Sequence, residues 1–134
     1  MNTATICLGS NAIDAAAHVG RAVAFLSGFV IIESDSGPYP SDPETNPTAP
    51  TYTNRILQIR TENTLEELHR NCKTYETDIR NRYIEDGRVT VDIDIVMFNS
   101  SILRMQDYNS AYFRKGLQFI SAEQHTPLYE DRTP

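Results

Sequence analysis

The sequence predicts an α+β fold: an antiparallel sheet with helices on one face, in the βαββαβ order of the ferredoxin-like arrangement. Three observations predict it. Runs with strand-like alternation or continuous apolar character recur at 3–8, 29–36, 52–61 and 89–98. Two stretches with helical spacing separate the first pair and the last pair. The resulting order is strand, helix, strand, strand, helix, strand.

Thr3-Ala4-Thr5-Ile6-Cys7-Leu8 opens as a strand and stops at the turn triplet Gly9-Ser10-Asn11. Ile13, Ala16, Ala17, Val23 and Ala24 then recur at helical spacing up to Ser27-Gly28, a glycine stop. Phe29-Val30-Ile31-Ile32 restarts extended structure, which carries on to about Ser36. From Gly37 to Thr51 the chain carries Pro38, Pro40, Pro43, Pro47 and Pro50, a density that no helix or central strand survives. So long a loop in a small domain is either a binding loop or lid, or a surface excursion. Tyr52 to Thr61 alternates as a strand. Thr64 caps the next helix, with Glu67 three residues on, and Leu65, Leu68, Cys72, Tyr75 and Ile79 form one stripe to about Arg80. Residues 89–98 are the strongest strand, 102–105 a short partner, and the polar tail from about Glu123 is expected to be poorly ordered.

Composition bounds the rest. A chain of 134 residues, 40% hydrophobic and 22% charged, reads as one globular domain over 1–134. A net charge of −6 argues against nucleic acid as the main partner. No run approaches the roughly 18 apolar residues of a membrane span, and no basic-then-apolar leader is evident, so a cytoplasmic protein without membrane contact is expected. Cys7 and Cys72 lack metal or redox spacing and read as reduced core residues. His18, His69 and His125 are scattered and suggest neither a metal cluster nor a triad. The charge is uneven: residues 70–115 hold eight of the twelve bases against seven of the eighteen acids.

The chemistry centres on Thr90-Val91-Asp92-Ile93-Asp94-Ile95-Val96. Strand alternation puts Asp92 and Asp94 on one face, about 7 Å apart, with Val91, Ile93 and Ile95 on the other. Two carboxylates so close repel unless a cation or a shared proton relieves them, and few hard oxygen ligands suit a Mg²⁺ that also holds phosphates. The alternative is a solvated acidic strand face. Arg80, Arg82 and Arg88 precede the acids, where they could reach phosphate oxygens; Arg104, Arg114 and Lys115 follow, each read singly as a surface base. Tyr52 and Asn54 share one strand face, an aromatic and an amide that suit a flat heteroaromatic ligand or an ordinary cross-strand pair.

Taken in order, these pieces resemble the 6-hydroxymethyl-7,8-dihydropterin pyrophosphokinase family. The resemblance rests on Leu8-Gly9-Ser10-Asn11 before a helix, Tyr39-Pro40-Ser41-Asp42-Pro43, Tyr52-Thr53-Asn54, helix-borne Glu76 and Asp92-Ile93-Asp94-Ile95, over residues 3 to about 98. It implies the ferredoxin-like fold and transfer of pyrophosphate from ATP to the pterin hydroxymethyl. It further implies that Asp92 and Asp94 hold two Mg²⁺, with Arg82 and Arg88 beside them in catalysis. Tyr52 would stack on the pterin, Asn54 would read its edge, Ser41 and Asp42 would line its pocket, and Phe113 would be the second stacking ring. Glu76, Ile95, Tyr108 and Arg114 would contact ATP. Several positions depart from the family pattern. The chain has no Trp, Val89 stands where the family has Arg, and Gln106-Asp107-Tyr108 replaces a Pro-His-Tyr run. A second reading is therefore a homologue that binds a pterin or nucleotide without turning it over.

Overall fold

The computed structural model describes residues 1–41, 50–85 and 87–131, with side chains to residue 122. The elements run β1 (Asn2–Ser10), α1 (Ala15–Ser27), β2 (Ile31–Asp35), β3 (Tyr39–Ser41), β4 (Tyr52–Thr61), α2 (Leu65–Arg82), β5 (Asp92–Phe98), β6 (Ser101–Ile102), α3 (Met105–Tyr108) and α4 (Ala111–Asp131). Six strands form one sheet in the order β2-β4-β1-β5-β6, with β3 also on β4, and every pairing is antiparallel. The α+β ferredoxin-like order is thus the one the sequence predicts.

Strand alternation sorts the core into two layers. Ile6 and Leu8 of β1, Leu57 and Ile59 of β4, and Ile93 and Ile95 of β5 point to the face covered by α1 and α2, where Val19, Ala22, Leu26, Leu68, Cys72 and Ile79 meet them. Cys7, Ile56 and Val96, from the intervening positions, point the other way and are covered by Phe113 and Ile120 of α4. The helices therefore occupy both faces: α1 and α2 lie on one, and α4, which the sequence reading did not assign, on the other. Its backbone stays helical past Glu123 to Asp131. Cys7 and Cys72 are buried free thiols, as expected.

Boundaries move for local reasons. Gly9 and Ser10, read as a turn, extend β1, because β4 is long enough to pair them with Asn54 and Thr53. Tyr39–Ser41 pairs with β4 although it contains Pro40, which a short strand flanking the main sheet can hold. β5 starts at Asp92 and not at Val89, whose backbone bonds Asn11 instead. The expected partner strand at 102–105 is cut short because Met105 begins α3. The capping box is present: Thr64 Oγ1 accepts from the Glu67 N–H at 3.1 Å, and Glu67 Oε1 accepts from the Thr64 N–H at 2.8 Å. No described helix is long and apolar enough to cross a membrane.

Candidate active site

On the α4 face, three strands align a row of residues. Gly9 of β1 is register partner both to Asn54 of β4 and to Asp92 of β5, and Cys7 is partner to Asp94. A Cβ at Gly9 would lie 3.4 Å from Asn54 Oδ1 and 3.6 Å from the Tyr52 ring, so the bare glycine leaves a flat floor between them. Ser41 lies opposite Tyr52, and the buried Asn54 amide donates from Nδ2 to Ser41 Oγ. That bond holds the Asn54 amide in place beside Gly9. Burial first, and the Asp92 charge second, keep the Tyr52 hydroxyl protonated above the ordinary phenol range. The structure therefore brings Tyr52, Asn54, Ser41, Asp92 and Asp94 to one surface; Asp42 lies outside the described residues.

The outer edge of β5 is bare at Ile93, since β6 pairs only with Met97 and Phe98. α2 fills the gap with side chains. Glu76 Oε2 accepts from the Ile93 N–H at 2.6 Å, and Lys73 Nζ donates to the Ile93 carbonyl at 3.3 Å, so an i,i+3 pair replaces the missing strand. Lys73 also bonds Glu76 Oε2 at 3.0 Å and lies 3.6 Å from Asp94 Oδ1, while the Arg104 guanidinium reaches the same oxygen at 3.8 Å. Glu76, expected to contact ATP, is thus buried and turned to the backbone between the two acids. Beside it opens a cavity of about 290 Å³ lined by Leu65, Glu66, His69, Lys73, Ile93, Asp94, Ile95, Leu103 and Arg104. Ile95, expected to contact ATP, is among its walls. Lys73 is a site residue that sequence reasoning missed; its spacing to Glu76 was the available signal, but such a pair on a polar helix face usually marks only a solvated salt bridge. Arg104, a surface base by its sequence context, is the second cation at Asp94.

The loop before the acids is tied to the end of β1. Asn11 Oδ1 accepts from the Val89 N–H at 2.5 Å, the Asn11 N–H donates to the Val89 carbonyl at 3.1 Å, and Ser10 Oγ donates to that carbonyl at 3.1 Å. Arg88 donates to the Asn11 carbonyl at 2.9 Å. Arg82 pairs with Asp78 one turn back at 3.4 Å, both exposed. The two arginines expected in catalysis are therefore engaged with the Asn11 carbonyl and with α2's own surface.

The corner of α3 and α4 accounts for three more expectations. Phe113 is fully buried under the sheet, so it serves the core and presents no ring face to a ligand. Tyr108 packs against it at 5.8 Å and carries the Arg114 guanidinium over its ring at 4.5 Å, so these two expected ATP contacts form one cation–π unit. Asp107 joins the corner to the acids: it accepts from Arg104 Nε and, at 2.6 Å, from the Tyr112 hydroxyl.

Partial desolvation, then the charges of Asp94 and Glu76, push the Asp92 carboxyl up to about 6 against the opposing pull of Lys73 and Arg104. Lys73 and Arg104 are shared among Glu76, Asp94 and Asp107. No group of three or more His, Cys, Asp and Glu side chains suited to holding a metal occurs among the described residues. The donor set is thus two carboxylates on one strand face, the sparse hard-oxygen set that fits a magnesium ion shared with substrate phosphates.

The acid pair and its flanking cations thus lie between a cavity on one side and an aromatic–amide floor on the other, the arrangement of a small-molecule binding site. Residues 5–122 match the family model described as 7,8-dihydro-6-hydroxymethylpterin-pyrophosphokinase, and the chain belongs to that family. No curated protein matches the chain. Family membership places it among the pyrophosphokinases of folate biosynthesis, which take ATP and a pterin.

Proposed function

We propose that the chain transfers the β,γ-pyrophosphoryl group of ATP to the hydroxymethyl oxygen of 6-hydroxymethyl-7,8-dihydropterin, releasing AMP. The hydroxymethyl oxygen bonds to the β-phosphorus, the bond from that phosphorus to the α,β-bridging oxygen breaks, and the hydroxyl proton is released. The observation that carries this reading is the row Asn54–Gly9–Asp92, which joins the aromatic–amide floor to the acid pair across three strands.

Asn54, oriented by Ser41, reads the pterin's hydrogen-bonding edge, and Tyr52 supplies the stacking surface. Asp92 and Asp94 are the residues that would hold Mg²⁺, for which two ions are proposed. When bound, these ions supply charge neutralisation for the triphosphate. The adenosine end of ATP enters the cavity walled by Ile95, Leu65 and Leu103, with Lys73 and Arg104 facing its phosphates. Catalysis then rests on positioning and charge, since phosphoryl chemistry asks little covalent work of the protein. The proposed setting is one cytoplasmic domain over 1–134, with no nucleic acid or membrane partner.

A second reading, ligand binding without turnover, is favoured by Arg88 and Arg82 being engaged away from the cavity lining. One assay separates the two. AMP formation from ATP and the pterin should depend on Mg²⁺ and be lost in Asp94→Ala. Pterin binding with no AMP above background selects the second reading.

A further inference from the structure

Lys73, which faces the phosphates in the proposed reaction, is held by contacts that this role does not require. Its ammonium lies among four oxygens: Glu76 Oε1 at 3.3 Å, Glu76 Oε2 at 3.0 Å, the Ile93 carbonyl at 3.3 Å and Asp94 Oδ1 at 3.6 Å. The first three close the bare edge of β5. The fourth does not, because Asp94 is one of the two carboxylates a divalent ion would need. A positive charge beside a ligand oxygen repels a second cation at that oxygen, and in a partly desolvated site the repulsion is stronger than in water. Lys73 is also only partly buried, with 41% of its side chain exposed, and it lines the cavity next to Asp94. Its long unbranched stem can change rotamer while α2 stays docked through Leu68, Cys72 and Ile79.

Resting on the pyrophosphokinase reading, the geometry points to Lys73 as a resident counter-ion of Asp94 that gives way only to a metal–polyphosphate complex. In the free protein the ammonium offsets the Asp94 charge and disfavours a bare divalent ion. A triphosphate entering the cavity offers the ammonium denser negative charge, and Asp94 is released to the metal. Glu76 keeps the strand edge closed through its bond to the Ile93 N–H during the exchange. Lys73 is thus a positioning residue that makes divalent-ion affinity conditional on the nucleotide.

The test compares wild type with Lys73→Gln by calorimetry, using two probes: Mn²⁺ alone, and Mg²⁺ with α,β-methylene-ATP, whose α–β bridge resists cleavage. Removing a partly exposed charge contact should tighten Mn²⁺ alone by roughly 3- to 10-fold and weaken the Mg²⁺–nucleotide complex by about 10-fold. Opposite shifts support the assignment; an unchanged or weaker Mn²⁺ affinity, or shifts in one direction, overturns it. A wild-type measurement guards against a variant that does not fold. The ¹³Cε resonance of Lys73 should move on adding Mg²⁺–nucleotide and stay put with Mg²⁺ alone, and no movement with the nucleotide overturns the assignment. Failure is separable from that of the parent reading: wild type forming AMP while Lys73→Gln keeps both constants sinks the counter-ion role alone.

Discussion

The Glu76 carboxylate accepts the backbone N–H of Ile93 at 2.6 Å, midway between Asp92 and Asp94. One buried side chain of α2 therefore closes the strand edge between the two acids. Glu76→Ala strands a backbone donor and removes a charged partner of Lys73, and should destabilise the protein by about 1–3 kcal/mol. Urea unfolding at pH 7 measures this; a loss near zero would show that water replaces the carboxylate without cost.

Asp92 makes stability and pH run against the usual carboxylate trend. Its folded-state value, about 6, lies above the ordinary 3.8. Between these values the folded state holds more protons than the unfolded state, so Asp92's contribution is full below about pH 4 and is lost as pH rises to 6. Asp94, Glu76, Lys73, Arg104 and the Tyr52 ring surround it. Asp94→Asn should lower the Asp92 value by removing the larger of the two like charges, and a divalent ion should also lower it. Carboxyl ¹³C titration reads the result directly, and titration of wild-type Asp92 near 4 would contradict it.

Two helix glycines should respond in opposite directions to alanine. At Gly116 a Cβ would run into Ile56 Cγ1 and the Tyr39 hydroxyl, so Gly116→Ala must lift α4 or shift β4, at a cost of about 1–3 kcal/mol. Cys7 beneath α4 should then react faster with a thiol reagent. At Gly20, within α1, a Cβ meets nothing within 4 Å, and alanine should stabilise by about 0.5–1 kcal/mol. Thermal melts of both variants decide the matter, and equal effects would refute the packing argument.

Gly9→Ala adds a methyl at ordinary contact distance from Asn54 and Tyr52. The fold should tolerate it within about 1 kcal/mol. The floor should not, and pterin affinity should fall about tenfold or more, as ~1.4 kcal/mol of lost contact produces. Pterin fluorescence titration gives the number; unchanged affinity would place the pterin elsewhere.

The acid pair and the Tyr-x-Asn strand were legible because strand alternation alone assigns their faces, and the antiparallel register then brings them together through Gly9. What lay beyond the sequence depended on tertiary contacts. Phe113, Leu117 and Ile120 have helical spacing, yet Gly116 leaves a gap in that face, and the sheet that buries it is not visible in a local pattern. Arg88 was expected beside the acids; its path is decided by Asn11, whose backbone and amide capture Val89 before β5 begins. Lys73 acquires meaning only once Ile93 is known to lie at an unpaired edge.

The alignment of Asn54, Gly9 and Asp92 makes β1 a ruler. The amide and the first carboxylate stand two inter-strand steps apart, about 10 Å, a span set by backbone hydrogen bonding and not by side-chain rotamers. Acceptor and donor are therefore gauged by the pitch of the sheet itself. Surface substitutions can drift freely around such a gauge, whereas a single residue inserted in β1, β4 or β5 would throw it out of step.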